Sequence, residues 1–208
     1  RGGIAGFDID SRGITFGIDS AVTSNLRLGG AFSYSSTDVD TKGFNNNTDI
    51  DTYQGTLYGS LNHPGWYLDG SLSYAWSNSE GRRNIAFGAL NRTALADYDS
   101  NQFIAQATYG RDIRLDNDII INPYVGLEYV NLDTEDYTET GAGTLNLAVA
   151  SADTSALKST VGVSIRKAFE SGEDYTIMPE AHIGWRYDFL DEAQTNSSNF
   201  TGGGTAFN

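Results

Sequence analysis

Hydrophobic and polar residues alternate along this chain in eight separate segments. In residues 65–77 (GWYLDGSLSYAWS), apolar residues and Gly70 occupy every second position from Trp66 to Trp76, with polar or small residues and Tyr67 between them. Strict period-two alternation predicts a β-strand with one apolar and one polar face. The segment is longer than a typical strand of a soluble protein and long enough for a tilted membrane crossing.

The other segments repeat this pattern, so we predict eight strands. Besides residues 65–77, they are residues 14–19, 26–35, 53–61, 102–110, 119–129, 157–166 and 177–189. No charged residue lies on the apolar face of any segment, whereas the polar faces carry both signs of charge. A charge facing hydrocarbon costs about 2–4 kcal/mol at mid-depth. The pattern therefore favours an all-β fold, an antiparallel, up-and-down transmembrane β-barrel, over a soluble sandwich.

Aromatic residues lie near the ends of several apolar faces. Tryptophan and tyrosine favour the headgroup zone of a bilayer, and aliphatic residues favour the hydrocarbon. We therefore predict an aromatic girdle formed by Tyr34, Trp66, Tyr74, Trp76, Tyr109, Tyr129, Trp185 and Tyr187.

The predicted connections alternate between short and long. The short ones are residues 23–25, 63–65, 114–118 and 170–174, and the long ones are 37–51, 78–101, 133–155 and the tail from 191. Outer-membrane barrels place short turns in the periplasm and long loops outside. Trp66 is therefore expected near the periplasmic rim and Tyr34, Trp76, Tyr129 and Tyr187 near the outer rim. Pro123 and Pro179 lie early in two outward strands and predict a bulge or weakened pairing there.

The polar faces carry charges of both signs, which can pair across strands, hold water, or line a path for a threaded chain. The predicted lumen-lining residues are Asp19, Arg27, Asp69, Glu128, Lys158, Arg166, Glu180, His182, Arg186 and Asp188. Inward glycines are expected to accommodate neighbouring inward tyrosines, namely Tyr58, Tyr67 and Tyr124.

Composition narrows the function classes. The net charge of −14 argues against a nucleic-acid partner, because phosphates would be repelled. The chain has no cysteine, which removes disulfides and thiolate chemistry. No run of eighteen apolar residues exists and mean hydropathy is −0.36, so no transmembrane helix is expected, and β-barrels escape that test because half of their strand residues face water.

Candidate chemistry is sparse. His63 lies in a His-Pro-Gly turn, and His182 follows Glu180 on the same strand face, where a carboxylate–imidazole pair is geometrically possible. No serine or second acid is placed beside them, so we predict no enzyme, no catalytic residues, no metal site and no cofactor. Two alternatives stay open: an outer-membrane hydrolase that depends on His182, and a stand-alone small barrel that acts as a porin or structural anchor.

The loops carry a resemblance to a known family. Residues 82–103 (RRNIAFGALNRTALADYDSNQF) resemble the stretch between two middle strands of autotransporter β-domains, with the pattern R-x-I-x-F-x-x-L-x-R-x-A-x-x-x-Y-D-x-x-Q-F. Further matches are residues 6–10 with 13–19, residues 137–147 (YTETGAGTLNL), and residues 179–189 with 199–207. Together these matches cover nearly the whole chain in the family's order.

The resemblance implies a twelve-stranded outer-membrane barrel whose lumen holds a helix linked to an N-terminal passenger. Such a translocator helps to export and anchor its passenger in type V secretion. The implied partners are outer-membrane lipid, the passenger in cis and the barrel-assembly machinery. The first strand and the pore helix are expected before Arg1, and about three strands after Asn208. We therefore predict that residues 1–208 form a single but partial barrel domain, with its long loops at the cell exterior.

Overall fold

The computed structural model describes residues 6–42, 45–171, 175–190 and 197–207. Nearly all of these residues are in β-strands or connections, and helical structure among them is limited to two 3-10 turns, Asp116–Asp118 and Gly143–Leu145. No helix in these ranges is long and apolar enough to cross a membrane. The strands are β1 (Phe7–Ala21), β2 (Leu26–Thr41), β3 (Asn46–His63), β4 (Trp66–Phe87), β5 (Leu90–Gly110), β6 (Ile113–Arg114), β7 (Ile119–Thr134), β8 (Tyr137–Thr138), β9 (Leu147–Val149), β10 (Ala152–Lys167), β11 (Phe169–Ser171), β12 (Tyr175–Ile177), β13 (Glu180–Asp188) and β14 (Ser198–Phe200).

Eight long strands form one antiparallel sheet in which each pairs with the next, in the order β1-β2-β3-β4-β5-β7-β10-β13. Each strand overlaps one of the eight predicted segments, so the predicted meander is confirmed. The turns at 22–25 and 64–65 are short, as expected for one end of the sheet. The predicted short connection at 170–174 falls partly outside the described residues, and so do tail residues 191–196.

The prediction that residues 37–51 and 78–101 are long loops is wrong, because paired strands occupy most of both ranges. The β2–β3 pairing runs to Thr41 opposite Asn46, and the β4–β5 pairing runs to Phe87 opposite Leu90. Period-two alternation arises where one face of a strand has apolar surroundings and the other face has polar surroundings. These hairpin ends carry polar residues on both faces, so the pattern disappears although backbone pairing continues.

The predicted loop at 133–155 is also partly strand. Thr134 pairs with Ala152, and further on Tyr137 pairs with Val149, so β8 and β9 keep the partner register of β7 and β10. Residues 135–136 and 150–151 separate the two paired parts. On one side of this hairpin, the chain just after β8 forms an isolated bridge with Leu95 of β5. On the other side, β14 pairs with β9.

Pro123 interrupts the pairing of β7 on one side only. The N–H of Arg111 donates to the carbonyl oxygen of Pro123 at 3.0 Å, and Pro123 has no N–H with which to return a bond. Pairing on this side stops at the end of β5 and resumes at β6, whereas on the other side Val163 of β10 still pairs with Pro123. The register is the same on both sides of the gap, so the weakened pairing is confirmed and the alternative, a bulge, is wrong.

Pro179 has the same effect one hairpin later. The N–H of Lys167 donates to the carbonyl oxygen of Pro179 at 3.3 Å, and pairing resumes beyond it where Phe169 of β11 faces Ile177 of β12. The predicted eighth segment is therefore divided into β12 and β13.

The sheet leaves its large apolar side chains exposed. Ile18 is 81% exposed and Ile183 is 73% exposed. Among the described residues the buried hydrophobic ones are Ala75, Ala94 and Ala142, and no large side chain is fully buried. A water-soluble sheet buries its apolar face in a core, so this distribution supports a sheet whose apolar face meets lipid.

Candidate functional site: the polar face of the sheet

The register places all ten predicted inward residues on one face, which we call the polar face. One row of directly opposed residues crosses the eight strands: Asp19, Gly29, Tyr58, Ser71, Gln106, Glu128, Lys158 and Asp188. Rows nearer the short turns contain the remaining predicted residues, Arg27, Asp69, Arg166, Glu180, His182 and Arg186.

Several charged side chains in the row from Asp19 to Asp188, and in the row next to it, are paired across strands. Arg27 forms an ion pair with Asp19. The Nε2 of Gln106 donates to Oε2 of Glu128 at 2.7 Å, and Nζ of Lys158 lies 4.0 Å from Oε1 of the same carboxylate. Glu128 thus connects β5, β7 and β10, and the pairing reduces the cost of charges on this face.

A second polar network lies near the short turns. Nη2 of Arg166 donates to Oδ2 of Asp112 at 2.7 Å, and Nδ2 of Asn122 donates to Oδ1 of Asp112 at 2.8 Å. The hydroxyl of Tyr67 donates to Oδ1 of Asn122 at 3.2 Å. Neither Asp112 nor Asn122 was among the predicted lumen-lining residues. Asn122 lies on the polar face of the segment 119–129 but was not singled out, and Asp112 lies outside any alternating segment. The available signal was the register, since the pairing of Gly110 with Tyr124 and of Ile113 with Ile121 places Asp112 opposite Asn122.

Glu180 and His182 do not form the pair that the sequence allows. Glu180 lies opposite Arg166 in the register, yet Arg166 bonds to Asp112 instead. Within the described ranges no hydrogen bond or ion pair joins His182 to Glu180, and His182 lies opposite Ser164. Both line a cavity of about 540 Å³ on the polar face. Nowhere in the described chain do three histidine or carboxylate side chains converge as a metal site requires.

Three tyrosines of the polar face lie over glycines of the neighbouring strand, as predicted. The pairs are Tyr58 with Gly29, Tyr67 with Gly110 and Tyr124 with Gly162. A methyl group added to any of the three glycines would overlap the tyrosine ring. The rings therefore use space that only glycine leaves free, and they lie against the sheet.

The predicted girdle residues all lie on the opposite, apolar face, where several form clusters. Near the long hairpins the ring of Tyr53 lies 5.2 Å from that of Tyr34 and 5.7 Å from that of Trp76. Near the short turns the ring of Trp66 lies 5.2 Å from that of His63 and 6.0 Å from that of Tyr109. Tyr53 and His63 were missed as members, although Tyr53 is on the apolar face of the third segment.

The remaining girdle residues make smaller contacts. Tyr129 lies 6.4 Å from Phe103, and Trp185 lies 5.6 Å from Tyr187 along the same strand. The register places Tyr187 in the row of Leu127. Whether these residues meet a bilayer interface stays a prediction.

The hydroxyls of two tyrosines on the apolar face donate to polar residues on the long-hairpin side. Tyr34 donates to Asp51 at 2.8 Å, and Tyr74 donates to Asn101 at 2.7 Å. Each of these two rings is therefore apolar on one side and hydrogen-bonded on the other. Such amphipathic rings are typical of a membrane interface.

The distance between the two clusters fits a bilayer. Trp66 and Trp76 lie at the two ends of the apolar stretch of β4. About ten residues of strand span about 33 Å, and a tilt of about 40° reduces this to about 25 Å along the barrel axis. The outward apolar band of outer-membrane barrels has about this height.

Comparisons with known proteins agree with this geometry. Residues 1–208 match the family described as Autotransporter beta-domain. Outer membrane protein B of Rickettsia japonica is 25% identical over 190 residues, which are 88% of this chain and 12% of that protein. The chain therefore spans only a small part of the relatives that it matches.

Two solved structures share the fold. The translocator domain of the autotransporter NalP from Neisseria meningitidis has a TM-score of 0.70 at 15% identity, covering 95% of this chain and 72% of that one. The beta domain of the Bordetella autotransporter BrkA has a TM-score of 0.64 at 20% identity, covering 94% and 80%. With the family match, these likenesses confirm the predicted β-barrel class and a location in the bacterial outer membrane. The chain belongs to the autotransporter β-domain family.

Proposed function

We propose that these residues form part of the wall of a translocator barrel in type V secretion, which helps to export an N-terminal passenger and anchors it in the outer membrane. One observation carries the proposal: the sheet has an exposed apolar face bounded by two aromatic clusters and an opposite face of paired charges. A wall of this kind separates lipid from an aqueous path. The family membership supports a passenger in cis.

We assign the polar face to the lumen and the two aromatic clusters to the membrane interfaces. The lumen-lining set is the ten residues from Asp19 to Asp188 predicted from the sequence, to which we add Asp112, Asn122 and Gln106. The cross-strand contacts Arg27–Asp19, Lys158–Glu128 and Arg166–Asp112 support a stiff, hydrated wall in place of a reactive site. We further propose outer-membrane lipid and the barrel-assembly machinery as partners, because a barrel needs both to reach its folded state.

We assign no reaction to these residues. The sequence allows a carboxylate–imidazole pair between Glu180 and His182, and among the described residues no hydrogen bond or ion pair connects these two side chains. The role that this arrangement supports is export of a passenger and its anchoring in the membrane.

The proposal is tested with two neighbouring residues that face opposite ways. Leu72 is on the apolar face in the middle of β4 and is 53% exposed, whereas Ser71 is on the polar face and borders a cavity of about 290 Å³. The variants are Leu72→Arg and Ser71→Arg in the full-length protein. Folded barrel is measured by heat-modifiable migration, and exported passenger by protease accessibility on intact cells.

An arginine in hydrocarbon costs about 2–4 kcal/mol, so Leu72→Arg should lower folded barrel and surface passenger about tenfold or more. Ser71→Arg should leave both near wild type. Equal effects of the two variants would contradict the assignment of faces. A barrel that folds and conducts ions while nothing preceding it reaches the surface would instead favour the stand-alone porin.

A further inference from the structure

The hairpin formed by β8 and β9 is separated from the sheet below it by a double break. Residues 135–136 of the β7–β8 strand do not pair with residues 150–151 of the β9–β10 strand. On the outer sides, the N–H of Glu135 donates to the carbonyl oxygen of Asp99 and the N–H of Ala150 donates to that of Ser197, both at 3.0 Å. Below the break Thr134 pairs with Ala152, and above it Tyr137 pairs with Val149. These two dipeptides form a hinge, because backbone dihedrals can change there at the cost of the two outer hydrogen bonds and of none between the two strands. We call residues 137–149 the flap.

The flap is held at its side by β5. The N–H of Leu95 donates to the carbonyl oxygen of Thr140 at 2.8 Å, and the N–H of Thr140 donates back to Leu95 at 2.8 Å. Nearer the hinge, the ring of Tyr137 stacks on that of Tyr98 with centroids 4.4 Å apart. Burial raises the pKa of the Tyr137 hydroxyl. These contacts align the flap with the extended β4–β5 hairpin.

A buried ion pair joins the flap to β4 across β5. Nε of Arg83 donates to Oε1 of Glu139 at 2.9 Å, and Nη2 of Arg83 donates to Oε2 of Glu139 at 2.5 Å and to the carbonyl oxygen of Leu145 at 2.9 Å. The N–H of Leu147 donates to Oε2 of Glu139 at 2.7 Å. The side chain of Glu139 is only 7% exposed, and that of Arg83 is 30% exposed.

The small residue beneath the ion pair makes this reach possible. Ala94 of β5 lies directly opposite Arg83 in the register and is 1% exposed. A larger side chain at this position would stand between the guanidinium and Glu139. At the tip, Nη1 of Arg92 donates to the carbonyl oxygen of Ala142 at 2.6 Å, which adds a second contact to the flap.

We propose that Arg83 and Glu139 form a latch that holds a hinged flap upright, so that this end of the sheet has a latched and an unlatched state. Leaving a buried carboxylate without its guanidinium is costly, so loss of either partner favours the unlatched state, in which the flap keeps its backbone pairing with β14. With the latch closed the flap continues the wall, and with the latch open it moves relative to β5. The latch rests on the proposed function in one respect: that function places this end of the sheet at the outer opening of the barrel.

The latch is tested by hydrogen exchange on the full-length protein in detergent micelles. The variants are Arg83→Ala and Glu139→Gln, and the matched control is Lys42→Ala, which removes the ion pair between Lys42 and Asp8 in another hairpin, 2.6 Å long and exposed. The reporter is the amide of Thr140, whose acceptor Leu95 is not mutated. The reference is the amide of Val161 in β10.

Both latch variants should speed exchange at Thr140 about tenfold or more and leave Val161 unchanged, while Lys42→Ala should change neither. The charge swap Arg83→Glu with Glu139→Arg should slow exchange again. Because the chain has no cysteine, a Leu95→Cys and Thr140→Cys pair adds one disulfide, which should restore slow exchange in the Arg83→Ala protein.

Thr140 exchange as slow in Arg83→Ala as in wild type would overturn the proposal, and so would an equal rise at Val161. If Arg83→Ala does not fold, Arg83→Lys keeps the charge and loses the two-point contact, and it should give an intermediate rate. The exchange measurement does not depend on export, so the flap and the proposed function can fail separately.

Discussion

The ring of Tyr67 in β4 lies against Gly110 in β5, the residue directly opposite it in the register. The hydroxyl of the same tyrosine donates to Asn122 of β7. One side chain thus joins three successive strands, and it can do so only because Gly110 has no side chain of its own.

Gly110→Ala is therefore expected to destabilise the barrel. The added methyl group overlaps the ring and forces it off its site, at a cost of about 1–3 kcal/mol. Urea unfolding of the barrel in lipid vesicles measures the change. Gly55→Ala is the matched control, because nothing lies within 4 Å of a methyl group added there. Equal midpoints for the two variants would contradict the prediction, and in a Tyr67→Ala background the cost of Gly110→Ala should shrink.

Asp112→Ala is expected to cost about 1–3 kcal/mol, because Arg166 and Asn122 both lose their partner on the polar face. His182→Ala, on the same cavity, is expected to change stability by less than about 0.5 kcal/mol. It should also leave export unchanged. The same urea titration measures both variants. An effect of His182→Ala as large as that of Asp112→Ala would contradict the assignment of the stabilising contacts to Asp112.

Tyr53→Leu is expected to cost about 1–3 kcal/mol, because it removes two ring contacts, with Tyr34 and Trp76, while keeping an apolar side chain. Phe16→Leu is the control, an aromatic residue on the same face with no ring contact among the described residues. The thermal transition of the folded barrel compares the two. Similar shifts for both would mean that the cluster near the long hairpins adds nothing beyond its apolar area.

Acid is expected to stabilise the β2–β3 hairpin. Burial raises the pKa of Asp49, helped by the hydrogen bond and the charge of Asp38 directly opposite it. The folded state then binds the proton more tightly than the unfolded state. This stability is fully present below the unfolded pKa of about 3.9 and is lost as pH rises through the raised folded pKa.

Amide exchange of Ile50 at pH 4 and pH 7 measures this effect, after correction for the intrinsic pH dependence of exchange. Protection should be greater at pH 4. Asp38→Asn should reduce the difference by removing the like charge, and an unchanged difference would point to another group.

Sequence reasoning was successful where a strand has lipid on one side and water on the other. Leu72 and Ser71 reveal their faces because their surroundings differ, and the same holds for all eight membrane strands. Beyond Tyr34 and Trp76 that difference ends, and the alternation ends with it, so the extended hairpins were taken for loops. Backbone pairing by itself leaves no periodic signal in the side chains.

The latch was beyond reach for a different reason. Arg83 and Glu139 are separated by 56 residues, and both lie in segments where neither face is apolar. Their contact depends on how the chain after Thr134 is placed against β5 and on the small size of Ala94. Asp112 was missed because it lies beyond the alternating part of β5, and its place follows from the register that continues from β5 to β6.

The unchanged register on both sides of Pro123 and Pro179 limits how the barrel can be misassembled. A strand displaced by one residue would turn Arg27 or Lys158 toward hydrocarbon, and each charge would cost about 2–4 kcal/mol at mid-depth. The prolines weaken strand pairing near the short turns, and they do so without shifting the register. Local fraying there leaves the assignment of lipid-facing and water-facing residues intact, so the strand ends can open and close while the barrel stays inserted.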